Sequence, residues 1–262
     1  MRRDRWIDYA RASTVLRELE RLYETPPRER MPCMLLYGES NIGKTLITRK
    51  FEREHPPQFD EARGIEERTI VSMQMPPMPD QARFYAALLF ELRAPHADRA
   101  PLLVLERLAR DLLRRLRPRL LIVDEVHHLL AGSYREQRGS LNLLKYLSND
   151  LKCSVVLVGT DDALTALETD AQMRSRFAPL ELPTWRENDD FRRLLAGFER
   201  MIPLRRRSNL AERETLQFIL GKSGGLTGRV SQILNAAAEI AIADGSERIS
   251  VASLEEATRG RG

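Results

Sequence analysis

Cysteine is nearly absent: Cys33 and Cys153 are the only two in 262 residues, and each sits in a strand-like apolar run. Thiols placed this way read as buried side chains in a reducing compartment. With no histidine at ligand spacing, the pair makes no metal site either. The chain lacks any run of about eighteen uncharged apolar residues, so no membrane-spanning helix is expected. The opening stretch, MRRDRWIDYARAST, has basic residues but no apolar h-region behind them. A secretory signal is therefore not expected, and a cytoplasmic protein is. Internal repeats and low-complexity tracts are missing too.

Charge of one sign is also scarce. The formal net charge of +4 is a small difference between 42 basic and 38 acidic side chains. Its composition says more, because RDLLRRLRPR, FRRLL and PLRRRSN are rich in arginine. Arginine suits bidentate phosphate contacts better than lysine does. The balance fits an anionic partner such as DNA, and equally a set of solvated faces.

What is present is an alternation of short apolar runs with helical periodicity. Residues 8–24 place Leu16, Leu19 and Leu22 at helical spacing, and the Pro-rich TPPRERMP then acts as a connector. CMLLY (33–37), TIVSMQM (69–75), RLLIVDE (119–125) and CSVVLVGT (153–160) read as buried strands, with FAPLELP (177–183) a fifth. Helices are expected at 80–92, 101–116 and near 140–151. Strands alternating with helices imply a parallel sheet covered on both faces. After Pro183 only helices are expected, at 187–200, 211–222, 227–243 and 250–259. The domain reading is a helical extension (1–30), an α/β core (31–184) and a helical lid (185–262).

Gly38-Glu39-Ser40-Asn41-Ile42-Gly43-Lys44-Thr45 satisfies G-x-x-x-x-G-K-[ST] in full, with an apolar strand before it and KTLITRKFER reading as the helix after it; these eight residues and Leu46 are the nucleotide-binding candidates. The glycines let backbone N–H groups wrap phosphates, Lys44 brings positive charge to the β/γ end, and the Thr45 hydroxyl is a Mg²⁺ ligand. The helix N-terminus adds its dipole. In LLIVDEVHHL a buried strand delivers Asp124 and Glu125 to its C-terminal end, where such sheets bind ligands. Asp124 is placed to hold Mg²⁺, and Glu125 to orient or deprotonate the attacking water. Thr160, at the end of the next strand, is expected to meet the γ-phosphate or the water. Arg176, and after it Arg174, in MRSRF are candidates to reach a neighbouring subunit's nucleotide. Arg229 opens a lid helix, from which it would touch the phosphates of its own subunit. His127 and His128 have no third ligand and no HExxH spacing, and read as structural.

This series, Gly38–Thr45, Asp124–Glu125, Thr160, Arg176 and Arg229, resembles the AAA+ P-loop ATPases over almost the whole chain. More narrowly, the chain is similar to the TniB and TnsC type of transposition ATPase, related to the phage Mu target-selection protein. The residues that carry this are RWIDYARASTVLRELERLYETPPRERMPCMLLYGESNIGKT, with LLIVDEVHHLL, VVLVGTDDAL and RSRFAPLELPTW in support. The resemblance implies a bacterial protein, nucleoid-associated on DNA, that binds ATP with Mg²⁺ and assembles on double-stranded DNA as a ring or helical filament. It also implies little sequence preference, recruitment of a DDE-type transposase, a target-selection adaptor as a further partner, and turnover by hydrolysis. The family's DNA-contacting loops fall on MPPMPDQARF and LRAPHADRAP, which offer Arg83, Arg93 and Arg99 but no Lys-rich loop. Another AAA+ DNA machine, a replication initiator or helicase loader, is the alternative. A small-molecule kinase is the reading from a different class.

Overall fold

The computed structural model describes residues 6–62, 64–78, 80–97, 99–168 and 170–259. Arg5, at the start of the quoted N-terminal block, lies outside them. The chain divides into two compact units. One holds residues 15–38 and 44–181; the other holds the segment ending at Thr14, residues 39–43 and the chain from Leu182 onward.

The larger unit is built on a parallel five-stranded sheet. Helix α1 (Ala10–Glu24) leads through the Pro-rich connector to β1 (Cys33–Tyr37), and α2 (Lys44–Glu54) follows the glycine loop. On α1, Ala12, Val15, Leu19 and Leu22 form the buried face at helical spacing. A two-stranded hairpin, β2 (Gln58–Asp60) and β3 (Ile65–Glu67), then stands apart from the main sheet. It has no counterpart in the sequence expectation. Next come β4 (Ile70–Gln74), α3 (Gln81–Glu91), α4 (Leu102–Leu116) and β5 (Leu120–Asp124). A single 3-10 turn (Val126–Ala131) links β5 to α5 (Tyr134–Leu151), and β6 (Ser154–Gly159), α6 (Asp161–Glu168), α7 (Ala171–Arg174) and β7 (Phe177–Glu181) complete the unit.

The strand order is β4-β5-β6-β1-β7, and every pairing is parallel. Burial explains the continuous apolar runs: β5 and β6 are buried at every position, and β1 at all but its last. Strands covered on both faces have no solvent side to alternate with. Strand β7 is mostly exposed and carries Pro179, which is tolerated because β7 is an edge. Helix α5 starts earlier than its apolar periodicity indicates. A capping box, in which Ser133 and Glu136 each bond the other's backbone N–H, fixes its first turn.

In the smaller unit α8 (Asp189–Met201), α9 (Arg213–Ser223), α10 (Thr227–Ala243) and α11 (Val251–Arg259) pack through Phe191, Leu194, Leu195, Leu216, Ile219, Val230, Leu234 and Leu254. The aromatic start of the chain belongs here. Trp6 stacks on Tyr9, whose ring meets Trp185 edge-on at 5.2 Å. Arg11 lies 4.7 Å over the Trp185 ring and donates to Pro183 O and Thr184 O at 2.8 and 2.9 Å. Trp185 Nε1 donates to Thr227 Oγ1 at 2.9 Å, and its backbone N–H donates to Gly225 O at 2.9 Å. A Cβ at Gly225, where φ is +71°, would lie 2.5 Å from Trp185 O, so this close approach requires glycine. Burial pushes the Tyr9 hydroxyl up to about 12, although Arg11 opposes the shift.

Candidate functional site

The site is assembled at the carboxyl ends of the parallel strands. Tyr37 pairs with Gly159, so the residues that leave β1 and β6, Gly38 and Thr160, exit side by side. Gln74 pairs with Asp124 at the ends of β4 and β5. This arrangement is the crevice that open α/β sheets use for ligands.

Lys44, only 8 % exposed, donates from Nζ to Gly38 O at 2.7 Å. Its ammonium is thereby turned back toward the end of β1. Thr45 Oγ1 donates to Asp124 Oδ2 at 2.7 Å, which brings the two motifs together across 79 residues of sequence. The other carboxylate oxygen, Asp124 Oδ1, accepts the Glu125 backbone N–H at 2.8 Å. One buried aspartate therefore fixes both the loop threonine and the residue that follows its own strand.

Glu125 itself adopts a left-handed backbone (φ 57°, ψ 34°), a conformation that non-glycine residues rarely hold. Strain of this kind gathers at active sites. Its side chain remains partly exposed and Oε2 lies 3.1 Å from His127 Nε2. His128 is tied elsewhere, its Nδ1–H donating to Met75 O at 3.0 Å. The ligand atoms of Glu125, His127 and His128 all fall within 4.8 Å of one another. The histidine pair thus acquires the carboxylate neighbour that sequence spacing did not reveal.

Thr160 Oγ1 is buried with no hydrogen-bond partner among the described residues. A buried hydroxyl without a partner costs free energy, and such a group in a ligand crevice points to a ligand oxygen. Lys44, Thr45, Asp124 and this hydroxyl fit a nucleoside triphosphate with Mg²⁺: a cation for phosphate, and hard oxygen donors for the metal.

The arginine segment has a different architecture. Arg176 donates to Lys145 O at 3.3 Å and to Asn149 Oδ1, both on α5, and its Nε is buried without a partner among the described residues. Arg30, from the connector, donates to Ser175 O and Oγ, each at 3.0 Å. The backbone is held from two sides, and Arg174 at the end of α7 is exposed. Arg83, Arg93 and Arg99 are exposed as well. Near them in sequence stand Phe90 and Leu103, each 76 % exposed.

In the smaller unit the loop residues meet the first turn of α10. Gly228 N, in the first turn of α10, donates to Asn41 O at 2.8 Å. A Cβ at Gly228 would sit 3.1 Å from that oxygen. Arg229, the next residue, is exposed. The two cysteines are buried, and burial pushes the Cys153 thiol up to about 12, so neither is a ready nucleophile. Among the described residues no helix is long and apolar enough to cross a membrane.

Comparisons with known proteins bear on the family and the fold. Residues 1–187 match the family described as bacterial TniB protein. No curated protein matches the chain. Among solved structures, the Aeropyrum pernix ORC2 protein in its ADPNP and ADP complexes is 18 % identical with a TM-score of 0.68, over 94 % of this chain and 66 % of that one. Cdc6p from Pyrobaculum aerophilum is 15 % identical with a TM-score of 0.71, over 97 % and 69 %. The Aeropyrum pernix ORC1 protein in complex with DNA is 18 % identical with a TM-score of 0.64, over 96 % and 65 %. The chain thus spans about two thirds of the length of these proteins. At such identities the likeness is one of fold, that of the AAA+ P-loop ATPases. The chain belongs to the bacterial TniB protein family.

Proposed function

We propose that the chain hydrolyses ATP and uses its nucleotide state to control assembly on duplex DNA, as a regulator of transposition that recruits a DDE-type transposase. The observation that carries the ATPase reading is the Thr45–Asp124 hydrogen bond at 2.7 Å, which joins the phosphate loop to the acidic strand end. In this reading Lys44 and the loop N–H groups of residues 38–46 bind the phosphates, and Thr160 takes a γ-phosphate oxygen or the water. Thr45 and Asp124 would hold Mg²⁺, which supplies positive charge at the phosphates. Glu125 accepts the proton of the attacking water, and Arg229 senses nucleotide in the lid. The TniB family match supports the transposition client. The likeness to the ORC2, Cdc6p and ORC1 proteins, at 15–18 % identity, assigns no client.

An arginine acting on a neighbouring subunit must be free to leave its own. Arg176 is tied to α5, whereas Arg174 is exposed on a segment braced by Arg30 and Arg176. Arg174 is therefore the better-placed residue for that role. Arg174→Ala is expected to leave nucleotide affinity unchanged and to lower turnover in the assembly by ~10³ or more. Full turnover in the variant would remove the assignment.

The client reading is tested by duplex binding with and without ATP or a non-hydrolysable analogue. Binding is expected only with nucleotide and should weaken steeply with salt. If Arg83, Arg93 and Arg99 each neutralise one phosphate, every Arg→Ala change should flatten the slope of log K against log salt by about 0.9. DNA binding that ignores nucleotide, or turnover that ignores DNA as a small-molecule kinase would, rejects the proposal.

A further inference from the structure

We infer that His127 is a positioning residue for Glu125, holding the carboxylate that accepts the proton of the attacking water. This inference rests on the assignment of Glu125 as the base. Three independent features of the chain bring the imidazole to that carboxylate. The left-handed backbone of Glu125 turns the chain sharply out of β5 into the 3-10 turn that carries His127. The Glu125 N–H is clamped on Asp124 Oδ1 at 2.8 Å, so the base of the side chain cannot drift. The turn is pressed onto the end of β6: a Cβ at Gly159 would lie 2.9 Å from Val126 Cγ1 and 3.4 Å from His127 N.

The tautomer follows from the surroundings. His127 Nδ1 is buried and has no partner among the described residues, whereas Nε2 lies 3.1 Å from Glu125 Oε2. A bare lone pair is cheaper to bury than an N–H without an acceptor. The ring proton therefore sits on Nε2 and is donated to Oε2. The same feature argues against a metal ion shared by Glu125, His127 and His128, because ligation through His127 Nε2 would force the proton onto the partnerless Nδ1.

The chemical consequence is orientation. A carboxylate whose side chain is 41 % exposed has several rotamers open to it, and only some direct an oxygen at the water. Holding Oε2 on the imidazole restricts that freedom and leaves Oε1 to accept from the water. His127 touches neither nucleotide nor water in this scheme; it acts through Glu125.

The test is steady-state and single-turnover ATP hydrolysis by the full chain with DNA present. His127→Ala is expected to lower kcat about five- to tenfold while KM and nucleotide affinity stay unchanged. His127→Gln, whose amide N–H reaches a similar distance, should recover most of that loss with an unchanged melting temperature. In a Glu125→Gln background His127→Ala should cost nothing more. A raised or unaltered kcat in His127→Ala overturns the inference, as does an equal loss in the Glu125→Gln background. Zn²⁺ inhibition of the wild type that His127→Ala relieves also overturns it, since the cluster would then be a metal site. If Glu125→Gln alone leaves hydrolysis at the normal rate, the underlying assignment of the base has failed instead.

Discussion

Lys44→Ala is expected to weaken ATP binding ~100-fold or more and thereby to abolish nucleotide-dependent binding to DNA. The Lys44 ammonium is buried at the start of α2 and held on Gly38 O at 2.7 Å. That arrangement keeps a positive charge in a low-dielectric crevice, where an approaching triphosphate meets it with little competition from water. A hydrogen bond to a charged group contributes about 1.5–3 kcal/mol. A lysine bridging two phosphate oxygens makes two of them, so at about 1.4 kcal/mol per tenfold the affinity should fall ~100-fold or more. The variant leaves Gly38 O without its partner, which makes a control necessary. Circular dichroism and thermal melting should show a folded chain within a few degrees of the wild type. Titration with a fluorescent ATP analogue then reads the affinity. A folded Lys44→Ala that binds ATP as the wild type does would remove the loop from the function altogether.

Most of the fold was legible because its signals are continuous. The strands β1, β5 and β6 announce themselves as uninterrupted apolar runs, and the C-terminal helices by their periodicity. The parts that were not legible are those with weak apolar signals. Strands β2 and β3 are three residues each and have no buried position, with Phe59 65 % exposed, so no alternation of buried and exposed positions marks them. The first turns of α5, YREQRGS, are polar and contain Gly139, so periodicity appears only afterwards. The S-x-x-E capping box at Ser133 and Glu136 was the available signal, and a local rather than a periodic one.

The site divides in the same way. Lys44, Thr45 and Asp124 are fixed by motif spacing, because a phosphate loop and a buried acidic strand end have one way to meet in a parallel sheet. The contact of His127 with Glu125 depends on a left-handed φ at a glutamate, which nothing in the residue type announces. The contrast between Arg174 and Arg176 depends on where α5 runs, since Lys145 O and Asn149 Oδ1 take up the Arg176 guanidinium. The N-terminal aromatic block is explained by tertiary contact alone. Tyr9 and Arg11 close on Trp185, more than 170 residues further along the chain.

Glu125→Gln should separate binding from hydrolysis more cleanly than any other change. Glutamine keeps the volume of the side chain, the backbone N–H on Asp124 Oδ1, and an oxygen able to accept the His127 Nε2–H. It leaves Lys44, Thr45 and Asp124 untouched, so ATP affinity should be unchanged. On the proposed assignment, what it removes is the proton acceptor. General-base catalysis contributes ~10²–10⁴-fold, and loss of that factor should appear in the single-turnover rate rather than in KM. The physical consequence reaches beyond the rate. If ATP bound at Lys44 holds the assembly on DNA, and its hydrolysis releases it, a chain that binds without hydrolysing cannot be released. The assembly should persist on duplex after free ATP is removed, while the wild type dissociates as it turns over. Hydrolysis by Glu125→Gln at the wild-type rate would dismiss Glu125 as the base. Slow hydrolysis with normal release from DNA would keep the chemistry and reject its use as a timer.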